Sequence, residues 1–248
     1  MQDFDSPNKR DQSHIQMNII PVKAGEEIEL KQSKVRNGIK FYLKPFHVSH
    51  GGHPALGYTI VSKTTKTSLK EEYIGMDGKE LCKLARSGVQ IKGSVTVEKV
   101  EVCYTGDTSV DGLVCGKHNQ DDSEGRSLVY LKQGFTAPLI LCELTFLDPN
   151  DKEKAKERGH LNIQDIDHIL SSHGWTPRND TGDENLIMFY HVSGRHGPAE
   201  RLIETLLREL PGDVVKVADV AISSFVKPGI DSLKVKPNGC VSLKDYSS

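Results

Sequence analysis

Short apolar runs separated by polar turns make up most of the chain. Near the N-terminus the runs NIIPV, EEIEL and IKFYLKPFHV combine alternation with β-branched and aromatic residues, which is the pattern of strands. The same pattern predicts further strands at Leu56–Ser62, Val95–Tyr104, Pro138–Phe146, Leu186–Tyr190 and Val214–Val220.

Helical periodicity lies mainly in the second half of the chain. Apolar residues recur on one face of a predicted helix over 163–172, and Ala199–Leu210 is amphipathic in the same way. GKELCKLARSG is predicted to be a short helix closed by Gly88, whereas Val110–Gln133 is expected to be a loop. Because strands and helices alternate after residue 95, we expect a layered α/β or α+β domain.

The composition is that of a globular intracellular protein. With 248 residues, 36% of them hydrophobic and 27% charged, the chain has room for one large domain, and collagen-like, coiled-coil and wholly disordered structures are excluded. Its five cysteines are scattered without a CxxC pair, which favours a reducing compartment over a disulfide scaffold or a zinc knuckle. No apolar run is long enough to span a membrane.

A formal net charge of −2 gives no overall field that would hold a nucleic acid, so such a partner needs a local basic patch. Residues 63–93 supply one, with seven basic against four acidic side chains and a net charge of +3. The basic residues are Lys63, Lys66, Lys70, Lys79, Lys83, Arg86 and Lys92. Such a run is commonly a solvated surface loop; the alternative is an arm that contacts phosphates.

Three predicted strands end in side chains that can bind a metal. FYLKPF runs into His47, VEVCY into TGDT with Asp107, and LIMFY into His191. Because the carboxyl ends of strands gather ligand groups in an α/β sheet, these side chains are expected to meet, and two imidazoles with one carboxylate suit zinc. Each piece also has a plainer interpretation, as a hydrogen-bonding histidine or a simple turn.

A second candidate pair lies between the last two strands. Glu143 interrupts the apolar strand LILCELTF, where an unpaired charge is unfavourable, and His160 follows Gly159. If the two side chains meet, the carboxylate orients the imidazole and raises its pKa, which makes a general acid. The alternative is an exposed Glu on an edge strand and a His beside a helix.

The order of these segments resembles ribonuclease Z, the tRNA 3′-processing endoribonuclease of the metallo-β-lactamase superfamily. FHV…GY, a lysine-rich arm, TGDT, ELTFLD, GH and HVSGR follow one another in the family's order from about Ile19 to Phe225. LKEEYIGMDGKELCKLARSGVQI is similar to the arm of the short, plant-type enzymes. The resemblance implies an α/β fold, a metallo-β-lactamase-like αββα sandwich, and zinc-dependent removal of the pre-tRNA 3′ trailer.

The resemblance also implies roles for the candidate metal ligands. His47 corresponds to the histidine ligand before the GY strand, Asp107 to the bridging aspartate, and His191 to the last histidine ligand of a two-zinc site. HVSHGGHPALGY is longer than the family's spacing, so His50 is an alternative to His47. The residues flanking His47 favour it as the ligand.

The remaining roles concern proton transfer and RNA binding. Glu143 and His160 correspond to the dyad that protonates the leaving 3′ oxygen, and Ser193 and Arg195 to a segment that lines the site near the RNA. The arm corresponds to an exosite that grips the tRNA elbow. Its implied RNA-binding residues are Lys63, Lys66, Lys70, Lys79, Lys83 and Arg86.

One part of the family pattern is absent from this sequence. The motif HxHxDH, which supplies the first zinc's ligands, does not occur among the ten histidines. We therefore expect the N-terminal part of the fold to be missing, one sheet face to be uncovered, and at most one zinc to bind weakly. The expected organisation is a disordered tail over 1–18, an incomplete domain over 19–225 with the arm at 62–93, and a C-terminal tail over 226–248.

Two functions follow from these expectations. The first is the C-terminal portion of a tRNA 3′ endoribonuclease that acts on pre-tRNA, is homodimeric like its family, has no membrane partner, and is located in the cytoplasm or nucleus. The second is a non-catalytic protein that binds tRNA, or an intact ribonuclease Z, through the arm. They differ in whether this chain alone performs catalysis.

Overall fold

The structure is a computed structural model that describes residues 19–31, 38–114, 125–178, 182, 184–193, 199–216, 218–221 and 240–246. The strands are β1 (Ile28–Leu30), β2 (Ile39–His50), β3 (His53–Leu69), β4 (Lys92–Tyr104), β5 (Leu139–Glu143), β6 (Leu186–Tyr190), β7 (Ala218–Ala221) and β8 (Cys240–Ser242). The helices are α1 (Gly78–Arg86), α2 (Val110–Val114), α3 (Arg126–Gly134), α4 (Lys152–Arg158), α5 (Asp165–Ser172), α6 (Ala199–Glu209) and α7 (Gly212–Val215).

All eight strands form one mixed sheet whose order follows the chain from β1 to β8. Strands β1 to β4 pair antiparallel, β4 to β7 pair parallel, and β8 returns antiparallel to β7. The parallel connections are made by helices, as parallel pairs require. This mixed sheet with helices confirms the α/β class, and no helix in the described ranges is long and apolar enough to cross a membrane.

The hydrophobic core lies on one face of the sheet. Ile140 of β5 and Ile187 of β6 are fully buried and share one cluster with Leu131 of α3, Ile166 of α5 and Leu206 of α6. Their neighbours along each strand are only half-buried, because successive side chains of a strand point to opposite faces. The helices thus supply the core on one side of the sheet.

The arm is the distal part of the β3–β4 hairpin. From Thr65 to Leu69, β3 pairs with β4 alone, and α1 lies beyond the strand ends with no buried residue. The Asp77 carboxylate caps α1 by accepting a hydrogen bond from the Lys79 amide (3.2 Å), which fixes the start of the helix. The predicted helix over 78–88 is confirmed.

The prediction of a loop over Val110–Gln133 was wrong in its described parts, since both α2 and α3 fall within it. The side of α3 that carries Leu131 is buried, and a Cβ added to Gly134 would lie 2.7 Å from the Cys103 sulfur on β4. Packing against the sheet therefore stabilises a nine-residue helix that is too short to be stable in isolation.

The C-terminal predictions also need correction. The predicted strand Val214–Val220 is divided between helix α7 and strand β7, and NIIPV forms no strand over its described residues 19–22. Residues 240–242 lie in the predicted tail, yet they pair with β7 as β8. A three-residue strand carries too little periodicity to be found without its partner.

Gly159 joins two segments beside the candidate site. It ends α4 with a left-handed φ of 76°, and a Cβ there would lie 1.6 Å from the Gly51 backbone nitrogen in the β2–β3 turn. The Gly159 carbonyl accepts a hydrogen bond from His50 Nδ1 (3.2 Å). This close approach places His160 directly beside the end of β2.

We expect Gly159→Ala to lower the free energy of unfolding by about 3 kcal/mol, because the added Cβ both strains φ and overlaps the Gly51 backbone. Gly174→Ala is the matched control, with a φ of 64° but no atom within 4 Å of an added Cβ, and should cost about 1–2 kcal/mol. Urea unfolding followed by the fluorescence of Trp175 measures both. Equal losses would show that the close approach contributes nothing.

Candidate active site

The carboxyl ends of three parallel strands bring the candidate residues to one edge of the sheet. Asp107 follows β4, Glu143 ends β5 and His191 follows β6. His160 reaches the same edge from the turn after α4. Parallel strands align their carboxyl ends, so residues far apart in sequence meet here.

Glu143 is a fully buried carboxylate at the centre of this group. Its Oε1 accepts hydrogen bonds from the Thr145 amide (3.0 Å), the Thr145 hydroxyl and His160 Nδ1 (3.1 Å). Its Oε2 accepts from the Leu161 amide (2.9 Å). Charge-assisted donors of this kind make the burial of a carboxylate tolerable, and they engage both oxygens with protein groups.

His160 is held in a charged hydrogen bond. The hydrogen bond to Glu143 raises the pKa of His160 above its usual value, against the opposing effect of burial, with further support from the charges of Glu143 and Asp107. Because Nδ1 faces Glu143, the remaining nitrogen, Nε2, is the one available to a ligand. The pair therefore has the arrangement of an oriented general acid.

His191 has a strained backbone and a hydrogen-bonded imidazole. Its φ of 62° lies in the left-handed region, where no other non-glycine residue of the described chain is found. The Thr145 hydroxyl donates to Glu143, so it accepts from His191 Nδ1 (2.9 Å). His191 Nε2 lies 3.8 Å from Asp107 Oδ2, and both side chains are more than 40% exposed.

His47 and His50 occupy different surroundings. His50 is the last residue of β2, and its ring packs edge-on against that of His160 with centroids 4.6 Å apart. His47 lies inside β2 opposite Leu56 and lines a cavity of about 620 Å³ with Lys23. Its Nδ1 is buried without a hydrogen-bond partner among the described residues. The strand runs further than its apolar pattern, so His50 and not His47 stands at its end.

Thr145 is a site residue that sequence reasoning missed. Its hydroxyl lies within hydrogen-bond distance of Glu143, His160 Nδ1 (3.3 Å) and His191 Nδ1 (2.9 Å). Its carbonyl accepts from the Ser193 amide (3.1 Å), which ties the segment after β6 to the site. Arg195 lies outside the described residues. A threonine in an apolar strand gave no signal, because its role depends on the turn after β5.

The predicted RNA-binding residues of the arm fall into two groups. Lys63 lies at the arm's base, where its ammonium contacts Glu27 (2.6 Å) and Glu98 (3.4 Å) and stacks over the Tyr42 ring. Lys70 lies 3.8 Å from Glu72. The side chains further out are exposed to solvent, namely Lys66, Lys79, Lys83 and Arg86.

The site offers nitrogen and oxygen ligands for a cation. Ligand atoms of Glu143, His160 and His191 lie within 4.8 Å of one another. Both Glu143 oxygens, however, already accept hydrogen bonds from protein groups. The more available donors are therefore His191 Nε2 and the half-exposed Asp107 carboxylate. Imidazole with carboxylate is a donor set that zinc accepts.

Sequence comparison identifies the relatives of this chain. No family model matches it. It is 31% identical over 210 residues to tRNase Z TRZ1 of Arabidopsis thaliana, an alignment that covers 84% of this chain and 62% of that protein. Over most of its length the chain is similar to the ribonuclease Z family. The resemblance based on the order of motifs is thereby confirmed.

Two further proteins are similar to smaller parts of this chain. A nuclear ribonuclease Z of Triticum aestivum is 37% identical over 94 residues, which are 38% of this chain and 47% of that protein. The crystal structure of the short form of human tRNase Z aligns over 66% of this chain and 40% of that one at 16% identity, with a TM-score of 0.31. This chain therefore matches only about 62% of the length of the Arabidopsis protein.

We expect Glu143→Gln to lower the pKa of His160, because the substitution removes the charge that favours the imidazolium. NMR titration of the metal-free chain measures this shift. In the wild type, a raised folded pKa means that the pair's stabilisation is fully present below the unfolded pKa and is lost as pH rises through the folded pKa. The free energy of unfolding of Glu143→Gln should not show this decrease as the pH rises.

His173 is the internal control for this titration. Burial holds its pKa below the usual value, and it hydrogen-bonds to the Leu113 carbonyl (2.9 Å), away from Glu143. Its pKa should be the same in both proteins. An unchanged His160 pKa in Glu143→Gln would contradict the assigned hydrogen bond.

Proposed function

We propose that this chain carries the acid residue and the later metal ligands of a tRNA 3′-end processing endoribonuclease, with pre-tRNA as its substrate. The observation that carries the proposal is the buried Glu143–Thr145 network, in which Nδ1 of His160 contacts Glu143 and Nδ1 of His191 contacts Thr145, so that both imidazoles turn Nε2 away from these partners. The names of the related tRNase Z proteins support the substrate class. The reaction would hydrolyse the phosphodiester that joins the tRNA to its 3′ trailer.

In this proposal His160 donates a proton from Nε2 to the leaving 3′ oxygen. Glu143 is a positioning residue, because it contacts Nδ1 of the imidazole and not the substrate. The hydrogen bond to Glu143 raises the pKa of His160 above its usual value, which favours the protonated form that an acid requires. A positioned acid of this type contributes about 10²- to 10⁴-fold to the rate.

A zinc ion would be held by His191 Nε2 and the Asp107 carboxylate, which lie 3.8 Å apart, and His50 or His47 is the candidate for a third ligand. His50 fits this role better than His47, because it stands at the strand end beside His160 and its Nδ1 is bound to the Gly159 carbonyl. When bound, zinc supplies a Lewis acid that stabilises negative charge on a phosphoryl oxygen. The Thr145 hydroxyl orients His191 for this purpose, as outer partners of zinc ligands do.

The exposed cations of the arm would contact the tRNA backbone. Among the residues that the structure describes, Lys79, Lys83 and Arg86 on α1 have no ion pair of the kind that holds Lys63 at the base. Contacts to phosphate position an RNA without reading its sequence. A location in the cytoplasm or nucleus and a homodimeric state complete the proposal, and one related protein is named as nuclear.

A second function is that the chain binds tRNA, or an intact ribonuclease Z, without cleaving it. The sequence lacks HxHxDH, while the arm keeps its exposed cations. Both functions require binding to an RNA or protein partner. Only the first requires that the chain cleaves pre-tRNA, so cleavage distinguishes them.

We expect at most one zinc per chain, bound weakly, because three ligand side chains are available and the first motif is absent. Inductively coupled plasma mass spectrometry after dialysis against zinc, together with calorimetric titration, measures stoichiometry and affinity. His191→Ala should abolish binding, whereas His53→Ala, an exposed histidine at the start of β3, should not. Two tightly bound ions would contradict this expectation.

For catalysis, we expect pre-tRNA cleavage in the presence of zinc to fall about 10²- to 10⁴-fold in His160→Ala, as removal of a general acid predicts. The effect should appear in kcat, with pre-tRNA affinity preserved, and His53→Ala serves again as the control. Affinity for pre-tRNA without cleavage by the wild type would support the second function. Failure of the wild type to bind pre-tRNA or an intact ribonuclease Z would refute both.

A further inference from the structure

The base of the arm carries a closed ring of charged side chains. Its members come from successive segments of the chain, namely Glu27 just before β1, Lys44 of β2, Lys63 of β3 and Glu98 of β4. Glu27 contacts Lys44 (3.5 Å) and Lys63 (2.6 Å). Glu98 contacts the same lysines, at 2.6 Å from Lys44 and 3.4 Å from Lys63. We call these residues the arm-base ring, in which the formal charges cancel.

Lys44 is the most deeply buried member of the arm-base ring. Its side chain is only 5% exposed, which is rare for a lysine and unfavourable without compensating partners. Besides the carboxylates, it donates a hydrogen bond to the Gln133 side-chain oxygen (3.4 Å), and its ammonium lies over the Tyr130 ring, 5.0 Å from the centroid. Both of these residues belong to α3. The ring is thereby anchored to a helix of the core.

A β-bulge lies beside the ring, where the arm leaves the body of the sheet. The register between β3 and β4 shifts between Ile60 and Val61, and Glu101 of β4 is left without a Cα partner on β3. A bulge bends its strand and increases the local twist. The direction in which the arm leaves the sheet therefore depends on the geometry at this point.

The arm-base ring connects the two sides of this bulge. Lys63 and Glu98 pair with each other on the arm side, whereas the other two members belong to the body of the sheet. Strand β2 stops pairing with β3 at Thr64, one residue past Lys63, and the arm continues from there as β3 and β4 alone. At the far end of the arm, α1 buries no residue. The ring therefore joins the arm to the body where the arm begins.

We propose that the arm-base ring is a positioning device that sets the direction of the arm relative to the candidate active site. The inference rests on the proposed function in one respect, namely that the arm contacts the tRNA backbone. Each carboxylate lies between two ammonium groups, so the ring closes only when all of its side chains keep one geometry. Buried ion pairs add little net stability compared with apolar packing, and the ring's contribution is to select one arrangement of the hairpin.

A fixed direction matters because an RNA held by the arm must also reach His160. When the ring is open, the arm samples other directions, and only a fraction of the molecules can engage both points at once. The apparent affinity for pre-tRNA then falls by that fraction. The ring thus contributes to binding through geometry, without touching the RNA.

Double electron–electron resonance measures the direction of the arm without any RNA. One nitroxide is attached to Cys82, which is exposed on α1, and the other to Ser171→Cys, an exposed position on α5. The labelled chain also carries Cys115→Ser and Cys240→Ser. The cysteines of β4 and β5 are buried, so they stay unlabelled.

Lys44→Met should broaden or shift the distance distribution between the labels, because it removes an ammonium that both carboxylates contact. Glu98→Gln should do the same, and it carries the test if Lys44→Met does not fold. Lys40→Met is the matched control, since Lys40 lies on the same strand and pairs with Glu29 (3.1 Å) outside the ring. Its distribution should equal that of the wild type.

Fluorescence anisotropy with labelled pre-tRNA and the spin-label-free chain measures the effect on binding. Both ring variants should raise the dissociation constant about 10-fold, as expected if the arm is competent in one molecule out of ten. Glu98→Gln is the decisive variant, because the loss of a negative charge alone would strengthen binding to RNA. Lys40→Met should bind pre-tRNA like the wild type.

Unchanged distance distributions in the ring variants would overturn the proposal, and so would an equal broadening in Lys40→Met. Tighter pre-tRNA binding by Glu98→Gln would also overturn it, because charge and not direction would then control affinity. If the wild type binds no pre-tRNA, the proposed tRNA function fails. The distance distributions would still decide whether the ring sets the direction of the arm.

Discussion

The candidate site depends on one buried charge. The Glu143 carboxylate has no exposure to solvent and is stabilised by donors from Thr145, His160 and Leu161. These donors come from the end of β5 and from the turn after α4. The hydrogen bonds that make the burial tolerable therefore also fix the position of the imidazole. Stability and candidate chemistry are inseparable at this point, and Thr145 extends the same network to His191.

The strands and helices that have a clear apolar pattern or a capping residue could be predicted from the sequence. Strand β6 matches its apolar run residue for residue, and α1 begins after its Asp77 cap as expected of a capped helix. Strands β2 and β3 run further than their apolar runs, because backbone pairing continues through the polar residues near His50. Helix α3 was missed because its stability comes from packing against the sheet. Local propensity gives way to tertiary contacts in such segments.

Part of the candidate site could also be predicted from local signals in the sequence. A charge inside an apolar strand is informative, so the pairing of Glu143 with His160 could be inferred, and the structure places them 3.1 Å apart. The choice between His47 and His50 required the end of β2, which depends on its partner strand. Thr145 could not be found, because its importance arises where three polar groups converge in space.

The order of the sheet has a consequence for how the chain acquires its structure. Each strand lies beside its predecessor in the sequence, from β1 through β8. Every newly synthesised strand can therefore dock on an edge that already exists, and no strand needs to insert between two others. The long β2–β3–β4 meander requires only local closure, so it can serve as the template on which the slower parallel pairs β4 to β7 assemble.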